Sequence, residues 1–210
     1  MYKIAIDKTL IQEMPIEVFP GRMHIIDSML NLNAAINVLR KADIVGFDTE
    51  TRPAFHKGER HKVALIQLST KDDCFLFRVN KIGIPDRLAE YLSDESCLKI
   101  GLSIHDDFRQ ISKISDLKPA GFVELQKMVG DYLISDMSLQ KIYAILFQKK
   151  ISKSQRLSNW EATELTHAQQ TYASIDAWAC INIYEYLKSG SFIAEESTFK
   201  VEIIEDEQQQ

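Results

Sequence analysis

The sequence predicts one α/β domain, a sheet of five or six strands flanked by helices, on three observations. Residues 43–51, 63–69 and 74–79 are short apolar runs parted by polar, turn-forming stretches, the pattern of consecutive antiparallel strands. The run 97–102 ends at Gly101-Leu102 and passes into a helical repeat of Ile104, Phe108 and Ile111. From about residue 138 onward, apolar residues recur at helical spacing. A chain of 210 residues, 45% hydrophobic and 26% charged, has the size and composition of an ordinary globular domain. Such a domain buries roughly 70% of the surface its unfolded chain exposes, so no disulfide or structural metal is needed for stability.

Residues 1–22 carry apolar pieces broken by Pro15 and by Pro20-Gly21, and are expected to form an N-terminal arm laid on the domain. A strand is expected at Met23–Ile26, then a helix from Asp27 or Ser28 to about Ala42, with Leu32, Ala35, Ile36 and Leu39 in helical register. After the strand 43–51, the stretch Arg52–Lys62 is polar and basic and contains Pro53 and Gly58, which makes it a loop. Val63–Ser69 and Cys74–Val79, parted by Lys71-Asp72-Asp73, complete an antiparallel meander. A helix near Pro85–Leu92, a strand at Cys97–Leu102, the helix beginning near Ile104 and a strand at Phe122–Leu125 follow. The rest is expected to be helical, over Ser138–Phe147 and then Thr166–Lys188, where Thr166 and Gln169 stand in capping-box register. The domain is expected to span 23–190, with 191–210 an acidic, flexible tail.

Cys74, Cys97 and Cys180 are widely spaced, odd in number and without a Cys-x-x-Cys pair, so they are expected as reduced core residues of a cytoplasmic protein. The N-terminus has no secretory pattern, and no apolar stretch reaches the roughly 18 residues that a membrane helix needs. Neither secretion nor membrane insertion is expected. The net charge of −5 does not by itself favour a nucleic-acid partner, although several carboxylates are candidate metal ligands that a cation would neutralise.

Three places suggest chemistry. Asp48 and Glu50 stand two apart at the end of an apolar strand, on one face, where they could grip one hard cation or simply meet solvent. Buried together, they would require a metal or a cationic partner. Asp106 and Asp107 fall in the first turn of a helix, either as charges that favour the helix dipole or as ligands just past a strand end. Tyr172 and Asp176 share a face of the last helix among Ala173, Ala177, Ala179, Cys180 and Ile183, as a rim aspartate beside a core tyrosine or as a paired site. Two basic clusters, Arg52, Lys57, Arg60, His61 and Lys62 and then Lys149, Lys150, Lys153 and Arg156, suit phosphate contacts or solvated surface.

Taken in order, Gly46–Thr51, Gly101–Asp107 and Tyr172–Ala177 resemble the three exonuclease motifs of the DEDD superfamily. Val63–Ser69 and Leu157–Ala162 with Leu165-Thr166 are similar too, so the resemblance runs from about Gly21 to Leu187. The chain is similar to the ribonuclease D branch and to the exonuclease domain of the Werner-syndrome helicase. Tyr172 resembles the tyrosine subclass, since the histidine subclass carries its histidine where Thr171 stands. The resemblance implies a ribonuclease H-like mixed sheet and a 3′ to 5′ exonuclease that releases nucleoside 5′-monophosphates from single-stranded DNA or RNA. It further implies that Asp48, Glu50, Asp107 and Asp176 hold two divalent cations, Mg²⁺ or Mn²⁺, and that Tyr172 positions the attacking water. Asp107 is chosen because it sits at the family's position in the Gly-x-x-Ile-x-x-Asp pattern, with Asp106 as the substitute. Thr49, Arg52, Lys57, Arg60, Lys62, Lys153 and Arg156 are the candidate substrate contacts. The short acidic tail leaves no room for further helical nucleic-acid-binding domains, so a modest grip on substrate, or recruitment by a partner, is expected. The alternatives are a non-catalytic module that binds nucleic-acid ends and a phosphodiesterase for small nucleotides.

Overall fold

In the computed structural model, which describes residues 1–203, every stretch expected as a strand enters one sheet. The first half of the chain runs β1 (Tyr2–Ile4), α1 (Lys8–Gln12), β2 (Arg22–Ile26), α2 (Met29–Leu39), β3 (Ile44–Thr51), β4 (Val63–Ser69), β5 (Asp73–Phe77), α3 (Val79–Ile82) and α4 (Asp86–Leu92). The second half adds β6 (Leu98–Gly101), α5 (Ile104–Ile111), β7 (Phe122–Glu124), α6 (Leu125–Gly130), α7 (Leu139–Phe147), α8 (His167–Lys188) and β8 (Lys200–Glu202). The main sheet has six strands in the order β2-β5-β4-β3-β6-β7. Within it β3, β4 and β5 form the expected antiparallel meander, while β2, β6 and β7 pair in parallel with their neighbours. The sheet is therefore mixed, and β4 and β5 are buried along their whole length.

Alternation along β3 sorts its side chains onto two faces. Val45 and Phe47 enter one core with Leu32, Ile36 and Leu39 of α2 and Leu88, Tyr91 and Leu92 of α4. Gly46, Asp48 and Glu50 face the other way, toward α8. That helix comes so close that a Cβ on Gly46 would lie 1.8 Å from the Ala177 carbonyl oxygen, so only glycine fits here. The start of α8 is set by the capping box: Gln169 N donates to Thr166 Oγ1 at 3.2 Å and Thr166 N to Gln169 Oε1 at 3.0 Å. Cys74, Cys97 and Cys180 are buried and free. No helix among the described residues is long and apolar enough to cross a membrane.

The chain departs from expectation at both ends. The arm is part of the core: Ile4, Ile6, Ile11 and Phe19 are buried with the residues under α8, and α1 lies within the segment. The tail expected to be flexible contains a helical turn at Ala194–Glu196 and β8, which pairs antiparallel with β1 from Tyr2↔Glu202 to Ile4↔Lys200. Its physical reason is the open edge of β1, whose backbone groups need partners. Residues 204–210 of that tail lie outside the described residues. The stretch from Gln148 to Thr166 is irregular rather than helical, and β5 ends at Phe77 because Val79 already begins α3.

Candidate active site

The site lies where β3 outruns its neighbour. The β6 ladder covers only Ile44–Gly46, so the carboxylates of Asp48 and Glu50 stand beyond it at the carboxyl end of β3, the usual place for ligands on an open α/β sheet. After Gly101 the chain turns through Ser103, whose φ of 62° is left-handed and uncommon for a residue other than glycine. Glu124 holds that turn by accepting from Ser103 N at 3.0 Å and Ile104 N at 2.9 Å. The first turn of α5 is thereby aimed at β3, and Asp107 Oδ1 accepts a hydrogen bond from Thr49 Oγ1. Asp106 borders the same cavity, but its side chain is 76% exposed and lies 3.7 Å from Arg109.

From the other side α8 delivers Asp176, which is buried. Its carboxylate and those of Asp48 and Glu50 offer oxygens that all lie within 4.8 Å of one another. They line a cavity of about 510 Å³ together with Asp107, Tyr172, Lys153 and Arg156. Burial is the main reason that these acids are shifted upward, and for Asp48 and Glu50 repulsion within the cluster adds to it. Asp48 is pushed well above the usual carboxylate range by burial and then by Asp107, Asp176 and Glu50. Burial, Asp176 and Asp107 raise Glu50 to about 9, with Arg156 opposing. Burial raises Asp176 to about 7 against the Tyr172 and Lys153 side chains, and it raises Asp107 to about 6 against the Thr49 hydroxyl. Tyr172 is raised by burial and by the charges of Asp176, Glu50 and Asp48, so its phenol stays protonated and can donate. Three converging acids with Asp107 on the same cavity, and no histidine or cysteine among them, make a donor set that suits a hard divalent cation.

The basic residues divide. Lys153 and Arg156 line the carboxylate cavity. Arg52 does not; its guanidinium lies 3.4 Å from Glu161. Arg60 and Lys62 line a separate cavity of about 610 Å³ with His61 and Glu161, and Lys57 is exposed on the loop. Lys149 lies 3.0 Å from Glu17 of the N-terminal segment. Sequence reasoning missed Glu124, which anchors the Ser103 turn; Thr49, expected at the substrate, braces Asp107, and the buried ring of Trp160, within the family-like stretch Leu157–Ala162, lies 5.9 Å from that of Tyr172.

Fold and site together define a class, an α/β domain with a carboxylate cluster at a strand end that could hold a metal ion. Residues 23–190 match the family described as 3′-5′ exonuclease, and the chain belongs to that family. It is 31% identical over 196 residues to the mouse (Mus musculus) bifunctional 3′-5′ exonuclease/ATP-dependent helicase WRN, a match covering 88% of this chain and 14% of that protein. Its fold is similar to the EXO domain of Aedes aegypti Nibbler, with TM-score 0.70 and 22% identity over 89% of this chain and 91% of that one. It is also similar to Trypanosoma brucei RNase D, solved as a complex with RNA U12, with TM-score 0.70 and 18% identity over 80% of this chain and 63% of that one. The ribonuclease H-like mixed sheet is thus the observed fold.

Proposed function

We propose that the chain is a two-metal-ion 3′ to 5′ exonuclease of the tyrosine subclass, which removes nucleoside 5′-monophosphates from the 3′ end of single-stranded DNA or RNA. One observation carries this reading: the oxygens of Asp48, Glu50 and Asp176 converge within 4.8 Å, in one cavity with Asp107 and Tyr172, on a chain of the 3′-5′ exonuclease family. A polynucleotide substrate is supported by the trypanosomal neighbour solved with RNA. Three buried free thiols fit the cytoplasm.

Asp48, Glu50, Asp107 and Asp176 would hold two Mg²⁺ or Mn²⁺ ions. When bound, the ions supply activation of water and charge stabilisation at the leaving 3′-oxygen. The protein provides the rest. Tyr172, protonated and one helical turn before Asp176, holds the attacking water in line with the scissile phosphorus. Thr49 keeps one Asp107 oxygen engaged and so fixes the other, which makes it a positioning residue. Lys153 and Arg156 bind the phosphate oxygens as donors that carry no proton away. Arg52, Lys57, Arg60 and Lys62 stand outside this cavity.

The test is a time course on 5′-labelled single-stranded DNA and RNA of matched sequence, with Mg²⁺, Mn²⁺ or EDTA and with Asp48→Ala beside the native chain. The expected result is a metal-dependent ladder shortening from the 3′ end, absent in the variant, with the faster polymer defining the substrate. Strands that stay intact yet are retained would sink the proposal in favour of a binding module. Cleavage confined to a small model phosphodiester would favour the nucleotide phosphodiesterase.

A further inference from the structure

Beside the carboxylate cavity lies a smaller one of about 310 Å³, lined by Lys8, Ile11, Gln12, Gln140, Lys150 and Lys153. Gln140 and Lys153 line both, so the two adjoin. Half of the smaller cavity's lining residues are lysines and none is a carboxylate. Neighbouring lysines of the same region are neutralised: Lys141 lies 2.6 Å from Asp136, and Lys149 lies 3.0 Å from Glu17. Among the described residues, Lys8, Lys150 and Lys153 have no carboxylate at ion-pair distance.

The arrangement is built rather than incidental. Lys8 opens α1, whose Asp7 cap accepts from Thr9 N at 2.8 Å. The Lys150 ammonium donates to the Gln12 carbonyl at the other end of the same helix. A backbone bridge between Ile16 and Lys150 ties the two segments together, and Gln140 Nε2 donates to the Ile151 carbonyl at 2.9 Å. Partial burial and the positive charges of Arg156, Lys8 and Lys141 depress the Lys153 ammonium, with Asp176 opposing. Such a cluster attracts an anion. The anion that reaches it while a 3′-terminal nucleotide fills the neighbouring cavity is the next phosphate of the same strand.

We propose that Lys8, Lys150 and Lys153 form a phosphate subsite for the phosphodiester adjoining the scissile one on its 5′ side. The inference rests on the exonuclease reading and gives it a specificity: a polymer engages both cavities, a mononucleotide ester only one. Lys8 lies outside the residues that match the family, 23–190, so the N-terminal segment supplies part of the substrate site.

The experiment compares the native chain with Lys8→Ala, a substitution at an exposed residue that leaves the Asp7 cap intact. The probe is a fluorescent single-stranded oligodeoxynucleotide, unmodified, or with one uncharged methylphosphonate at the second linkage from the 3′ end, or with one near the 5′ end. Binding is read by anisotropy in EDTA and digestion with Mg²⁺. For the native chain the methylphosphonate at the second linkage is expected to weaken binding about tenfold, the scale of one hydrogen bond to a charged group. In Lys8→Ala that penalty is expected to shrink to about threefold and the salt slope to fall by about one, while the 5′-proximal modification affects both proteins alike. An undiminished penalty in Lys8→Ala overturns the subsite. If the strand is digested but the penalty is undiminished, the exonuclease reading stands and the subsite falls. If the penalty shrinks in binding but the native chain digests nothing, the subsite stands and the exonuclease reading falls.

Discussion

The acidic and basic sides of the cleft are made of different material. Asp48 and Glu50 stand on β3, Asp107 in the first turn of α5 and Asp176 within α8, all regular elements held by ladder, cap or core packing. Lys153 and Arg156 stand on the irregular stretch after α7 and are exposed, as are Arg60 and Lys62 on the loop after β3. The difference follows from what each side must bind. A divalent cation demands fixed oxygens within a few tenths of an ångström, which rigid elements provide. A flexible polyanion is held by charge at a distance, and long side chains on loops can follow it. The acidic side is correspondingly expensive to the apo fold, since buried like charges oppose folding, whereas exposed cations cost little.

Substitutions on the two sides should separate these costs. Asp48→Asn is expected to lower kcat/KM by about 10³-fold or more, by removing several kcal/mol of metal-borne charge stabilisation. In EDTA the same variant should melt at a higher temperature than the native chain; a lower midpoint would contradict a destabilising acid cluster. Tyr172→Phe is expected to cost on the order of 10² in kcat while keeping the metal-induced rise in melting temperature, and full activity would remove Tyr172 from the mechanism.

The pH response has a defined sign. Asp107, Asp176 and Glu50 rise from 3.8, 3.8 and 4.5 to about 6, 7 and 9 on folding. Acids whose folded values are raised contribute their stability below the unfolded values and lose it as pH climbs through the folded ones. The metal-free protein should therefore lose the cluster's contribution progressively between about pH 4 and pH 9. Mg²⁺ or Mn²⁺ at about a hundred times its Kd adds about 2.7 kcal/mol. Because protons compete for the same oxygens, calorimetry should show a larger metal-induced shift at pH 8 than at pH 5. Equal shifts would place the metal elsewhere.

Smaller effects come from the supporting groups. Thr49→Val should free Asp107 and lower activity about tenfold, with partial recovery at higher Mn²⁺. Arg156→Ala should raise KM only a few-fold and reduce the salt slope of binding by about one. A change in kcat alone would move Arg156 to the acidic side of the comparison.

Much of the acidic side is legible in the sequence because local periodicity builds it. Alternation puts Asp48 and Glu50 on one face, and helical spacing puts Tyr172 over Asp176, before any tertiary contact is known. Periodicity does not separate Asp107 from Asp106; the family pattern does, and in the fold the Ser103 turn, anchored by Glu124, brings Asp107 to Thr49. The basic side is far less legible. A run of lysines and arginines in sequence carries no sign of which members find carboxylates, so Arg52 against Glu161 and Lys149 against Glu17 emerge only from the fold. The β1 and β8 ladder is hidden for a related reason: each strand is three residues long, and its partner lies on the far side of the domain in sequence.

That ladder also orders events during synthesis. Tyr2–Ile4 leaves the ribosome before the main sheet, and the last partner of this segment, Lys200–Glu202, leaves after α8 is complete. Ile4 can already dock on Leu133 and Ser135 by then, donating to the one at 2.8 Å and accepting from the other at 2.9 Å. Closing the ladder thus adds a high-contact-order step that follows synthesis of α8. The Lys8 side of the cleft does not wait for that ladder, because the Ile16–Lys150 bridge and the Lys150–Gln12 contact hold α1 through residues that precede α8.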